Sequence, residues 1–514
     1  MASAHPRLNW LISTAPRERL VLLLGSAWGI GAAWWIVQEH WIALALWLIV
    51  PPLFLIVARA PFAAVLVWIL FAPIFARAYA DDTRWLNWLF ARLLFPAALA
   101  LTLWSFRPAI AHHRFGVISN PSIPSFFGAC LRDKLCDKSR PAKPRFRRWL
   151  HRTPLEMTNA LFILAVALLI LLTNPNPIRH LISFYDLLIV PICCYWVVRL
   201  NPPSAREWRW LAIVCAFAFT FQIIVGGMAW IVPALLPYEW LELYGERTIG
   251  TLGRPAVFTG ALTLFAFIIF YTASASDKRW VRGSGILTLA LALLAMLWSF
   301  SRGSWLATVA VAGGFIWLYA RTIRKAMVIG AALILLITGG LVIQNADWAW
   351  ARLTDFKRAE ERLIDQVTSL RMIAEHPVLG WGYLQHNASR SEYVTPLFSG
   401  HVVPELVSHN TYLTLIADLG IPLFILYVTP ALWWLWRTWQ TRNMLAHARF
   451  RLLILLWLAL LHLFIVSNFS DVTSWHPVGT ILWWLTLGLV ANVVTAGGRD
   501  DPAPTQRVGD NAAM

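Results

Sequence analysis

Stretches of mostly apolar residues, each about 17–25 long, recur along the chain, and that is the length a helix needs to cross roughly 30 Å of hydrocarbon. Fourteen can be placed, near 20–37, 41–58, 61–76, 86–106, 155–173, 180–198, 210–232, 255–273, 284–300, 304–320, 326–343, 410–436, 452–467 and 477–494. Some are short enough to be re-entrant, which sets the expected number at 12–14. The residues are 59% hydrophobic and 13% charged, a balance that excludes an ordinary water-soluble domain. In lipid every backbone polar group needs an internal partner, and these runs are too long and too uniformly apolar for barrel strands. The expected fold is all-α: a polytopic transmembrane helical bundle with a large, partly helical periplasmic loop.

Basic residues orient the bundle. With the N-terminus inside, inner segments hold 30 of the 43 Lys and Arg, outer segments hold 12, and Arg92 lies within a span. The loop 107–154 alone carries eleven basic residues against Asp133 and Asp137. Both termini are therefore expected on the cytoplasmic side of the membrane. The net charge of +17 follows from topology and anionic lipid, and implies no nucleic-acid partner. The expected organisation is spans in 1–106, a basic cytoplasmic loop at 107–154, central spans in 155–343, the periplasmic loop at 344–409, spans in 410–494 and a tail at 495–514. Arg17-Glu18-Arg19 ahead of the first span reads as a retained span rather than a cleaved signal. No cysteine falls in an outer loop, so no disulfide is expected there, and no His, Cys, Asp or Glu spacing matches a metal site. Tryptophan clusters at Trp34-Trp35, Trp433-Trp434-Trp436 and Trp483-Trp484 read as interfacial belts ahead of sugar-stacking platforms.

The outer loop differs from the rest in composition, with six basic and eight acidic residues. Leu353, Phe356, Leu363, Ile364, Val367, Leu370 and Ile373 recur at spacings of three and four, which predicts an amphipathic helix within 352–376. Pro377 and Val378-Leu379-Gly380-Trp381-Gly382 then predict a turn. Topology brings three polar positions to the outer level. Arg254 opens a span, Arg302 sits in a hairpin with almost no loop, and His409 with Asn410 opens the span after the large loop. An outward arginine can simply snorkel to the headgroups, but Arg302 has little room to do so. A guanidinium fork suits a diphosphate, and histidine, with an ordinary pKa of about 6.5, suits a general base. Charges inside spans are costly, so Arg92 and Asp186 are expected to pair, and Asp418 to neutralise an arginine or end a polar pocket.

Three stretches carry a family resemblance. They are Gly250-Thr251-Leu252-Gly253-Arg254-Pro255 with Phe258-Thr259-Gly260, then Ser301-Arg302-Gly303-Ser304-Trp305, then Arg371 through Leu379-Gly380-Trp381-Gly382 to His409-Asn410-Thr411-Tyr412-Leu413 and Asp418-Leu419-Gly420-Ile421. In order and spacing this set resembles the O-antigen ligase and polymerase superfamily over about residues 240–430. It departs at Asp418, where similar segments often carry glutamate. The resemblance implies a metal-independent inverting glycosyltransferase without a cofactor. Its donor would be an undecaprenyl diphosphate-linked glycan at the periplasmic face, and its acceptor a lipid A core or another lipid-linked glycan. It implies functional roles for Arg254, Arg302 and His409, with Arg371, Asn410, Tyr412 and Asp418 as candidates for holding substrate. Polymerisation is the close alternative to ligation. Transport is the more distant one, because transporters favour midplane sites and inverted repeats, and no repeat is visible here. The orientation has a direct check. Single cysteines placed in 107–154 should be protected from an impermeant thiol reagent in intact cells, while cysteines in 385–400 should react. Labelling of the 107–154 positions would invert the whole assignment.

Overall fold

A computed structural model describes residues 48, 52–75, 88–114, 154–172, 177–237, 240–241, 248–319, 356–394, 409–470 and 477–496. Every regular element among them is helical. In chain order they are α1 Ala63–Phe75, α2 Leu94–Arg114, α3 Pro154–Leu172, and α4, made of Pro177–Phe184, a π turn Tyr185–Ile189 and Val190–Leu200. Next come α5 Ala205–Ile231, α6 Pro255–Ser274, α7 Arg279–Trp298 and α8 at 302–319. Then follow α9 Phe356–Glu375, α10 Thr411–Thr441, α11 His447–Ser467 and α12 Pro477–Ala496. Seven of the described helices are long and apolar enough to cross a membrane. The chain is thus a polytopic helical bundle, and α1 to α8 and α10 to α12 coincide with expected spans. The expected spans 20–37 and 326–343 lie outside the described residues, as do loop 107–154 beyond Arg114 and the tail after 496.

α6 and α12 form the centre and are buried along most of their length. Close approach explains several glycines. A Cβ on Gly260 of α6 would meet Leu463 of α11 at 2.5 Å, and one on Gly314 of α8 would meet Leu458 of α11 at 2.5 Å. α11 therefore lies against both α6 and α8, through small residues of the kind that let membrane helices pack without a hydrophobic driving force. The tryptophan expectation needs correction at two positions, and Trp34-Trp35 lie outside the described residues. Trp434 and Trp484 are core residues, 2% exposed, rather than interfacial anchors. The Trp434 indole donates to the Tyr195 hydroxyl at 2.9 Å, and Trp484 packs edge-on against Tyr195 and Tyr427.

Polar contacts sort into two levels, one at each end of the bundle. At one end Glu156 of α3 meets Arg199 of α4 at 3.2 Å and accepts from the Tyr195 hydroxyl at 2.7 Å. There Arg199 also reaches Asn492 of α12 at 3.4 Å, and Arg449 donates to Ala496 O at 3.0 Å. At the other end Arg92 grips Asp186 with two parallel bonds, Nε to Oδ1 and Nη2 to Oδ2, each 2.7 Å. The expected pairing of these two in-span charges is thus present. Both sit in π turns, Trp88–Leu93 and Tyr185–Ile189, and the Tyr185 hydroxyl donates to Arg92 O at 2.9 Å.

The span expected at 410–436 is two helices rather than one. Gly420, at φ 80° and ψ 164°, breaks α10, and Pro422 follows. Such a backbone is open almost only to glycine. Ile421 N–H now donates to Pro377 O at 2.8 Å. The carbonyl of Ala417 takes Trp381 N–H at 2.8 Å, and that of Asp418 takes Gly382 N–H at 3.1 Å. The turn that the sequence predicted at 377–382 is therefore stitched to the break, with Gly380 and Gly382 at positive φ. A Cβ on Gly420 would meet Val378 O at 2.0 Å. Gly420→Ala should therefore destabilise the purified protein by at least about 1–3 kcal/mol, seen as a lower melting temperature in detergent. Gly227→Ala is the control, because nothing lies within 4 Å of a Cβ there. Melting of Gly420→Ala together with the wild type would refute the break as a structural requirement.

Candidate functional site

The Arg92–Asp186 end of the bundle holds the sequence-predicted arginines. α6 and α8 run parallel, shown by Thr259 Oγ1 against Ser304 Oγ at 3.0 Å and by Phe267 stacked on Phe315 at 5.9 Å. Arg254 and Arg302 precede that first contact by a few residues, so both stand at the same end of two packed helices. Both are exposed. Helix N-termini carry partial positive charge, and α6, α8 and α10 all begin here. An anion approaching this rim meets two guanidinium groups beside the positive ends of these helices.

Local structure explains how each arginine is held. Arg254 is the N-cap residue of α6, with Pro255 in the first turn. The turn before it is clamped by the fully buried Gln222 of α5. Its Nε2 donates to Thr251 Oγ1 at 2.6 Å, and its Oε1 accepts Thr251 N–H at 3.0 Å. Gly250, at φ 53°, lies so close to Gln222 that a Cβ would fall 2.1 Å from Oε1. Arg302 starts α8 after only three residues, 299–301. Phe300 adopts φ 46°, and its ring lies between Trp230 at 5.5 Å and Trp305 at 6.2 Å. The Trp305 indole donates to Leu297 O at 3.0 Å and closes the hairpin.

His409 joins this rim through the end of α11. A Cβ on Gly303, next to Arg302, would lie 2.7 Å from Phe469. Phe469 O accepts from Arg362 Nη1 of α9 at 2.6 Å, and Ser470 O accepts from Thr411 Oγ1 at 3.0 Å. Residues 469–470 thus link the Arg302 hairpin to the start of α10, two residues after His409. His409 itself is half-buried, and its amide donates to Asp365 Oδ2 at 2.7 Å.

The remaining predicted positions are placed differently. The Asn410 side chain caps α10, accepting from Tyr412 N–H at 3.0 Å and Leu413 N–H at 3.1 Å. Tyr412 is buried against Phe464. Arg371 stands on the exposed side of α9. Among the described residues Asp418 pairs with a histidine and with no arginine. Its Oδ1 accepts from the His386 backbone N–H at 3.2 Å and lies 2.8 Å from His386 Nδ1. Asn410, Tyr412 and Asp418 therefore each hold one of the protein's own groups.

Sequence reasoning missed His386, Asp365 and Arg390, each no more than 2% exposed. It also assigned the face of α9 incompletely. Leu363 and Leu370 are exposed, while Ile364, Asp365, Thr368, Ser369, Met372 and the expected Ile373 make the buried stripe. The spacing of 364, 365, 368, 369 and 372 carried that signal, but three of the five are polar. At the end of α9 the Tyr393 hydroxyl donates to Glu375, a bond that pushes the tyrosine up to about 12.

Fold and site together define a multi-pass helical membrane protein with a cationic rim beside a histidine-bearing, partly helical loop. Residues 287–428 match the family model described as O-antigen ligase, so the chain carries an O-antigen ligase-like segment. That segment contains Arg302, Arg371, His409, Asn410, Tyr412 and Asp418, while Arg254 lies before it. No curated protein sequence matches the chain.

Proposed function

We propose that the chain transfers a glycan from undecaprenyl diphosphate to a hydroxyl of lipid A core, at the periplasmic face of the inner membrane. What supports this reading is the parallel packing of α6 and α8, which sets Arg254 and Arg302 at one rim, together with the ligase-like segment. The donor's sugar–diphosphate bond supplies the driving force, so no nucleotide is required. As that bond breaks, negative charge grows on the lipid diphosphate. Arg254 and Arg302 stabilise it with charge-assisted, forked hydrogen bonds, strengthened by the helix N-termini around them. A sugar hydroxyl is a weak nucleophile. His409 accepts its proton as it attacks the anomeric carbon from the face opposite the leaving group, and configuration inverts.

Two single-turnover measurements test these roles, using purified protein in lipid nanodiscs with the lipid-linked donor saturating. Arg302→Lys keeps the charge and loses the fork, so transfer should fall by about 10²–10³ while the protein still inserts. A normal rate in Arg302→Lys would reduce the arginine to a snorkelling side chain. His409→Gln retains hydrogen bonding but is a poor base, and should cost about 10²–10⁴ in rate with donor binding intact. Wild-type transfer should also fall as pH drops through the histidine's titration, because imidazolium cannot accept a proton. Unchanged rates and an unchanged pH profile in His409→Gln would rule out His409 as the base.

A further inference from the structure

Asp365 and Arg390 form a buried ion pair between α9 and the short helical turns at 386–392. They are 1% and 2% exposed. Arg390 Nη2 also donates to Asp365 O at 2.7 Å, and Nη1 donates to Ser369 Oγ at 3.3 Å. The other carboxylate oxygen, Oδ2, accepts the His409 amide at 2.7 Å. Burying such a pair is expensive, and apolar residues of similar volume often serve stability as well. Stability alone therefore gives a poor account of two charges enclosed in a loop.

The geometry points to a positioning role: we propose that Asp365, oriented by Arg390, fixes the backbone of His409 so that its imidazole faces the bundle rim. The reading rests on His409 acting in transfer. On the C-terminal side the chain is already fixed, because Asn410 caps α10 and Thr411 bonds Ser470 O. On the N-terminal side the charge-assisted bond from the His409 amide to Asp365 supplies the fixing. With the His409 amide and residues 410–411 held, the backbone that carries the imidazole is fixed. That matters because misplacing a reacting group by about 1 Å can cost on the order of 10² in rate. Asp365 and Arg390 touch no substrate in this scheme; they act through His409.

Two double variants separate this role from general support, each without a buried lone charge. Asp365→Asn with Arg390→Gln keeps an acceptor for the His409 amide, and should retain kcat within a few-fold of wild type. Asp365→Leu with Arg390→Met removes the acceptor while filling the space. It should lower kcat by about 10–100-fold with KM for the lipid diphosphate-linked donor unchanged. Hydrogen exchange of the peptide containing 409–412 should speed up in the apolar pair and stay slow in the amide pair. If the apolar pair does not accumulate as folded protein, Asp365→Ser with Arg390→Gln gives the same test. Its side chain is polar enough to be housed but too short to reach the amide. A folded acceptor-less variant with wild-type kcat, beside an inactive His409→Gln, overturns the positioning role and leaves the base reading standing. Lost exchange protection and lost kcat in that variant, beside an active His409→Gln, overturns both, because the loss then does not run through the imidazole. Equal loss of kcat in both kinds of double variant, with exchange unchanged, overturns the positioning role.

Discussion

Two carbonyls, those of Ala417 and Asp418, would have no partner in a free-standing α10. Gly420 turns the chain away from helical geometry, and Pro422 has no N–H to offer. Near hydrocarbon such groups cannot turn to bulk water. The 377–382 turn supplies Trp381 and Gly382 N–H groups, and takes Ile421 N–H in return through Pro377 O. An irregular helix and an irregular loop thus complete one another. Neither backbone is reasonable alone, so the described part of this loop, 356–394, is an integral layer of the bundle.

From that stitch the rest of this layer follows. The turn fixes the C-terminal end of α9, whose Trp381 contact closes with an indole bond to Met372 O at 2.9 Å. α9 presents Arg362 to Phe469 O and Asp365 to the His409 amide. His386 hangs from Asp418, immediately before the break. The α6–α8–α11 packing, built on small residues and on the hydroxyl pair Thr259 and Ser304, independently sets the arginines. His462 of α11 lies 3.2 Å from Thr259 and extends that polar contact to a third helix. The two assemblies meet at residues 469–470.

Hydropathy was enough to read the helical bundle, because lipid imposes a length that the apolar runs must match. The Arg92–Asp186 pair was legible for the same reason: charges in spans must find each other. The tight hairpin at Arg302 was legible because almost nothing separates two apolar runs. The break at Gly420 was not, since glycine and proline are common in membrane helices and the run stays apolar through it. Asp365, Arg390 and His386 were hidden for a different reason. In a charged loop an aspartate or arginine looks like solvated surface, and only tertiary contact distinguishes the enclosed ones. Gln222 was hidden likewise, as one polar residue in the long apolar α5. Interfacial tryptophan was over-read, because a large ring suits a packed core as well as a headgroup layer.

The hairpin at 299–301 has a consequence for how this protein can vary over evolutionary time. A helix advances about 100° per residue. With only three residues between α7 and α8, no slack exists to absorb an added or lost residue. A single insertion there would swing the start of α8 by roughly a quarter-turn or move the whole helix along its axis. Thr259 would lose Ser304, and Gly303 would leave Phe469. Length at this corner is therefore as constrained as chemistry. Substitutions can accumulate around Arg302, while insertions and deletions must collect elsewhere along the chain.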